Sequence, residues 1–173
     1  MASKKTSMFT LTERLTVTAA ATDTFATIDL GSYVDVGDRQ ALQIHSVDFI
    51  FQGAAPGDDM VSDLGAGNEM RVQVTDLNRG ALVFADDRAL VASGAIHLDG
   101  NGGVFHASDL FPDNYGKGSD DGRYVVNDQL YITSVASGLA SSMNVTVRVN
   151  ASIVSLTAKD FMAIAIQSTA ADN

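Results

Sequence analysis

The chain has 173 residues, 46% hydrophobic and 18% charged, which fits one globular domain with a real core and excludes a disordered polymer. It carries 21 acidic against 11 basic side chains, a net charge of −10 that argues against general affinity for nucleic acid, and it has no cysteine, which excludes disulfides and thiolate metal sites. No stretch approaches the roughly 18 apolar residues of a membrane-spanning helix. TSMFTLTERL is too interrupted to be a signal peptide, so synthesis and folding in the cytosol are expected.

The first seven residues, MASKKTS, read as a flexible arm whose only basic spot is Lys4 and Lys5. Phe9, Leu11, Leu15 and Val17 then recur with a period of two, interrupted by Glu13, and predict a strand with one half-buried face. TDTFATIDL (22–30) is a second strand candidate, and GSYVDVGDRQ (31–40) a turn-rich connection. In ALQIHSVDFIFQG (41–53) the apolar positions change phase, from Leu42 and Ile44 to Val47, Phe49 and Phe51. That predicts a bulge near His45 and Ser46, or a strand covered on both faces.

Residues 54–68 read as a glycine- and acid-containing surface loop, and EMRVQVTDL (69–77) as a strand. Asn78-Arg79-Gly80 suggests a hairpin turn into ALVFADD, with a further strand over 89–98. Residues 99–122, rich in glycine and aspartate, are expected to leave the core as a long excursion. YVVNDQLYITSV (124–135) returns to strand, and Val145, Val147, Val149, Ala151 and Ile153 form a long final one. Thr157 and Asp160 have the spacing of a capping box, and Phe161, Ile164 and Ala165 share a helical face that would lie on the sheet or on a neighbour.

Eight or nine strands at these spacings predict an all-β fold: an antiparallel two-sheet sandwich, an eight-stranded jelly roll, with a short C-terminal helix. An immunoglobulin-like sandwich would give a similar pattern. The expected organisation is an arm over 1–7, one β-sandwich (jelly-roll) domain with its terminal helix over 8–168, and a flexible tail over 169–173.

No catalytic constellation emerges, and no enzyme is expected. There is no G-x-S-x-G string. His45 lies inside an apolar strand and reads as a satisfied core or interface residue. His97 and His106 lack a third ligand at motif spacing. A cupin site fails because Glu13 and Glu69 are the chain's only glutamates, and neither follows a pair of histidines. Asp99-Gly100-Asn101 opens like a calcium loop, yet the fifth position is Gly103 and the twelfth is Leu110. No cofactor is therefore expected, and calcium at Asp109, Asp113, Asp120 and Asp121 is left without a motif. Adjacent pairs such as Asp58 and Asp59 face opposite ways on a strand and suit turns and solubility.

IHSVDFIFQG (44–53) and VRVNASIVSLTAKDFMAIAIQS (147–168) resemble the strands of single jelly-roll capsid proteins of tailless icosahedral viruses infecting microbes. The resemblance implies a coat protein: a viral structural subunit that self-assembles with copies of itself and other capsid proteins into an icosahedral shell enclosing the genome. It also implies a place in the virion after synthesis in the host cytoplasm, and no small-molecule substrate. Phe105, Leu110, Phe111 and Tyr115, four large apolar residues in a polar excursion, are the expected subunit contacts, with Phe161 and Ile164 on the terminal helix. Lys4 and Lys5 are the candidate contact to the genome or to an internal membrane. The competing reading is a carbohydrate- or receptor-binding β-sandwich module of the lectin or virion-spike type, in which Tyr115 would stack on a sugar.

Overall fold

The computed structural model describes residues 3–101, 103–111 and 122–169. Ten strands, β1 to β10, and two helices, α1 and α2, occur among them. One sheet contains β1 (Ser3–Lys4), β2 (Phe9–Val17), β4 (Gln40–Gln52), β8 (Arg123–Val125) and β10 (Met143–Ser155). The other is ordered β3 (Thr24–Asp29), β9 (Gln129–Ala136), β5 (Glu69–Thr75), β6 (Leu90–Leu98) and β7 (Val104–Phe111). All the pairings are antiparallel.

The pairings nest. β2 pairs with β10, β3 with β9, β4 with β8, and β5 with β6. The chain is thus one long antiparallel hairpin wrapped into two sheets of order β2-β10-β4-β8 and β3-β9-β5-β6, which is the jelly roll. The immunoglobulin-like alternative is excluded, because its sheets do not pair the first long strand with the last in this nested way. β1 and β7 are additions: β7 extends the second sheet beyond β6, and β1 lies on the edge of β10 beyond the end of β2.

Alternation explains the core. Val145, Val147, Val149 and Ala151 of β10 point between the sheets and meet Met70, Val72 and Val74 of β5 and Leu130 and Ile132 of β9 in one buried cluster. The opposite positions of β10 carry Asn144, Thr146, Arg148 and Asn150 outward. The change of phase in β4 is a bulge. Asn150 pairs with Ser46 and Ala151 with Ile44, so His45 is the extra residue. Leu42 and Ile44 before it, and Val47 and Phe49 after it, therefore all reach the same core.

Four expectations are corrected. ALVFADD is not a strand; residues 77–89 are a connection of turns and bends. Residues 99–122 are not wholly outside the sheets, because Val104–Phe111 forms β7. Within 54–68, Met60–Leu64 forms α1, capped by the Asp59 carboxylate accepting from the Val61 amide at 3.0 Å and ended by Gly65 at φ 79°. The leader also differs from a free arm from Ser3 onward: Ser3 and Lys4 pair with Ser155 and Val154, and the Lys5 amide donates to the Ile153 carbonyl at 2.8 Å.

Candidate assembly surface

The outer face of the first sheet is divided at the bulge. On one side Ala41, Val154, Leu156 and Phe161 form a second buried cluster under α2 (Ala158–Thr169). Here β4 is covered on both faces, so both readings of the phase change hold. The helix starts as its capping pair predicts, with the Asp160 amide donating to Thr157 Oγ1 at 3.2 Å and that hydroxyl donating to Asp160 Oδ2 at 2.8 Å. Beside it, His45 Nε2 lies 2.9 Å from Ser152 Oγ. Burial lowers the His45 pKa, and nearby Lys4 lowers it further.

Beyond the bulge this face is mostly polar and internally bonded, with Ile50 as an exposed apolar exception. Thr10 Oγ1 donates to Asn150 Oδ1 at 2.8 Å, and Asn150 Nδ2 donates to Ser46 Oγ at 2.9 Å, linking β2, β10 and β4. Thr16 Oγ1 donates to Asn144 Oδ1 at 2.7 Å, and Asn144 Nδ2 donates to the Gly53 carbonyl at 2.7 Å. Such cross-strand ladders fix register while presenting a hydrophilic surface.

The outer face of the second sheet is different. Phe25 of β3, Thr133 of β9, Gln73 of β5 and Ser93 of β6 stand in one cross-strand row. Over Gln73 runs the connection 77–89. The Gln73 side chain donates to the Val83 carbonyl at 2.8 Å and accepts from the Val83 amide at 2.7 Å. One primary amide thus bonds Val83 as a neighbouring strand would. The next residue, Phe84, is 87% exposed. Between the start of the connection and β3 lies a groove of about 430 Å³, lined by Phe25, Thr27, Tyr131, Thr133, Asn78 and Gly80 among others, with no charged residue.

At the base of the same connection sits a buried ionic brace. Arg123 Nη2 donates to Asp76 Oδ2 at 2.8 Å and to the Arg88 carbonyl, and its Nη1 donates to the Leu90 carbonyl at 2.9 Å. Asn127 Nδ2 donates to the Asp76 carbonyl. Asp76 is 4% exposed, and its Oδ1 has no hydrogen-bond partner among the described residues. Burial raises its pKa, and this outweighs the opposing pull of Arg123.

The predicted contact residues fall in three places. Phe105, Leu110 and Phe111 lie on β7, an edge strand, with Phe105 opposite His97 and Phe111 opposite Ser93; their side chains are outside the described set. Tyr115 lies outside the described residues altogether. Phe161 is 6% exposed, and Ile164 is half-buried against the same cluster, so this face of α2 is spent on its own sheet. The apolar pair that α2 leaves exposed is Met162 and Ile166. Lys4 lies on the β1 edge, and Lys5 Nζ donates to Gln40 Oε1 at 3.1 Å. Sequence reading passed over Phe25 and Phe84; an isolated phenylalanine beside a turn looks like any strand residue until its neighbours are known.

Among the described residues no group of three or more His, Asp or Glu side chains is placed to hold a metal ion. Asp99 Oδ1 instead accepts from the amides of Asn101 and Gly103, a local turn. No described helix is long and apolar enough to cross a membrane.

No protein-family model and no curated protein matches the chain. Solved structures similar to it include VP1 of Merkel cell polyomavirus in complex with GD1a oligosaccharide, at 10% identity and a TM-score of 0.44 over 90% of this chain and 99% of that one. The unassembled VP1 pentamer of the same virus aligns at 11% identity and a TM-score of 0.45, covering 88% and 97%. VP1 of trichodysplasia spinulosa-associated polyomavirus in complex with 3'-sialyllactose aligns at 11% and 0.44, covering 89% and 96%. The expected resemblance is corrected to this extent: these similar structures are VP1 proteins of polyomaviruses, not coat proteins of viruses of microbes.

Proposed function

We propose that the chain is a viral structural protein, a capsid subunit that assembles with copies of itself and with other capsid proteins into an icosahedral shell around a genome. One observation carries the reading: a sandwich with a closed core exposes large apolar side chains on separate faces. Phe25 and Phe84 lie over the second sheet, and Met162 and Ile166 lie on α2 over the first. Exposed apolar side chains of this size suit a shell subunit, which needs apolar contacts on more than one side. The jelly-roll order supports the reading, since its two packed sheets place edge strands such as β7 at the rim, where neighbours can meet them.

Lys4 and Lys5 are the proposed contact to the genome or to an internal membrane, and the virion is the proposed location of the mature protein. The carbohydrate- or receptor-binding alternative rests on Tyr115, which lies outside the described residues. Size-exclusion chromatography with light scattering, followed by electron microscopy, tests the function. Concentration-dependent oligomers and closed particles are expected. A monomer at every concentration, salt and divalent-ion condition would overturn the reading.

A further inference from the structure

We propose that the outer face of the first sheet, beyond the bulge, binds the phosphate backbone of a nucleic acid through Arg14 and Arg148. This deepens the genome contact proposed for Lys4 and rests on that reading.

Placement comes first. Arg14 lies opposite Thr146, and Arg148 lies opposite Thr12, so the two arginines are diagonal neighbours on β2 and β10, with Cα atoms about 7–8 Å apart. Both are exposed. Lys4 pairs with Val154, which packs under α2, so its side chain stands on the same outer face, roughly 20 Å further along β10. A polyanion running along β10 meets all three.

Pairing separates these arginines from others in the chain. Arg71 is bonded to Glu69, Arg79 to Asp87 and Arg123 to Asp76, whereas Arg14 and Arg148 make no ion pair among the described residues. Asp48, the carboxylate of this face, accepts instead from Asn150 Nδ2 at 3.2 Å. At the end of the face Asp63 and Asp58 accept from the amides of Ala54 and Ala55. In a chain of net charge −10, two exposed cations without a carboxylate partner form a site for an anion from outside.

The surroundings fit a phosphate. Arg14 walls a hollow of about 170 Å³ with Thr16, Gln52 and Asn144. The Gln52 side chain makes no hydrogen bond among the described residues and adds neutral donors beside the guanidinium. The exposed apolar residue of this face is Ile50, so it lacks the broad apolar stripe that a bilayer surface takes up. Two contacts per copy are weak alone; repeated over a shell they add along one strand.

Fluorescence anisotropy with a labelled single-stranded oligothymidylate at low salt tests the site. Wild type should bind. Arg14→Gln/Arg148→Gln, with unchanged circular dichroism, should lower the affinity about tenfold or more, and the salt dependence should fall by about 0.7 for each arginine removed. Arg14→Lys/Arg148→Lys should keep most of the affinity. Arg71→Gln/Arg88→Gln, the same change of charge elsewhere, should leave it within about twofold. Equal losses in the two glutamine pairs, or no binding by the wild type, would overturn the proposal. So would a preference for phosphatidylglycerol vesicles over the oligonucleotide, or loss of self-association in Arg14→Gln/Arg148→Gln, which would assign the arginines to a membrane or a subunit contact. Particles of that variant with unchanged nucleic-acid content would overturn it while leaving the capsid reading intact. A wild type that stays monomeric yet binds through the two arginines would sink the capsid reading alone.

Discussion

Phe49 of β4 lies directly against the backbone of Gly94 on β6, in the opposite sheet. A Cβ on residue 94 would come 2.8 Å from Phe49 Cδ2. Gly94 falls among positions that otherwise carry Ala92, Ile96 and Leu98 into the same core. The missing side chain is therefore the space that the phenylalanine ring occupies, and the two sheets meet there at contact distance.

Gly94→Ala should destabilise the fold by about 1–3 kcal/mol, because the ring must move in a packed core. Urea denaturation followed by circular dichroism measures it. Phe49→Leu in the same chain should recover part of the loss, giving a coupling well above the roughly 0.5 kcal/mol of independent sites. Additive effects would show that the ring and residue 94 do not touch.

The clamp at Gln73 yields a second expectation. Gln73→Ala leaves the amide and carbonyl of Val83 without their side-chain partners, and the change should cost about 1–3 kcal/mol. The readout that separates this from general destabilisation is hydrogen exchange. The Val83 amide should lose protection while amides of β10 keep theirs. Gln73→Glu retains the acceptor but not the donor, so it should protect the Val83 amide better than alanine does.

How much of the fold and the site is legible in the sequence depends on how local the cause is. The bulge at His45 shows because apolar positions that switch from Leu42 and Ile44 to Val47 and Phe49 can face one core only if a residue is inserted between them. The cap of α2 shows because Thr157 and Asp160 are three residues apart. β7 does not show: VFHASDLF lacks clean alternation and is flanked by glycine and aspartate, so only its partner β6 defines it. ALVFADD has the composition of a strand, but Gln73 holds its Val83 by a side chain in place of a neighbouring backbone. The nested pairing of β2 with β10 spans most of the chain, and periodicity carries no information about partners so distant. The face of α2 is visible in the spacing of Phe161 and Ile164, yet spacing does not say whether a sheet or a neighbour covers it.

The Arg123–Asp76 brace supplies a larger effect. Arg123→Met removes the cation facing a carboxylate that is 5% exposed in its side chain. A buried charge left wholly unpaired costs about 3–5 kcal/mol, and because Arg79 still attracts the Asp76 carboxylate the loss should fall at or below that range. The double variant Arg123→Met/Asp76→Leu should recover much of that, because an apolar pair replaces a desolvated ionic one. Thermal unfolding of the three proteins decides it; a double variant no more stable than Arg123→Met would show that the brace is needed for more than its charge balance.

Acid sensitivity should pass through His45. Its folded pKa lies below the ordinary value of 6.5, so below that pH the unfolded chain binds more protons than the folded one. The stability that the neutral imidazole permits is present above about pH 6.5 and is lost as the pH falls from there toward the folded pKa. Lys4 contributes to the shift, so protonation sets two cations against each other where β1 pairs with the end of β10. His45→Gln removes this titration. The denaturation midpoint of the wild type should fall more between about pH 7.5 and 5.5 than that of the variant, and hydrogen exchange should place the difference at Lys5 and Thr6. Equal slopes in the two proteins would show that His45 does not couple acid to the docking of the N-terminal strand.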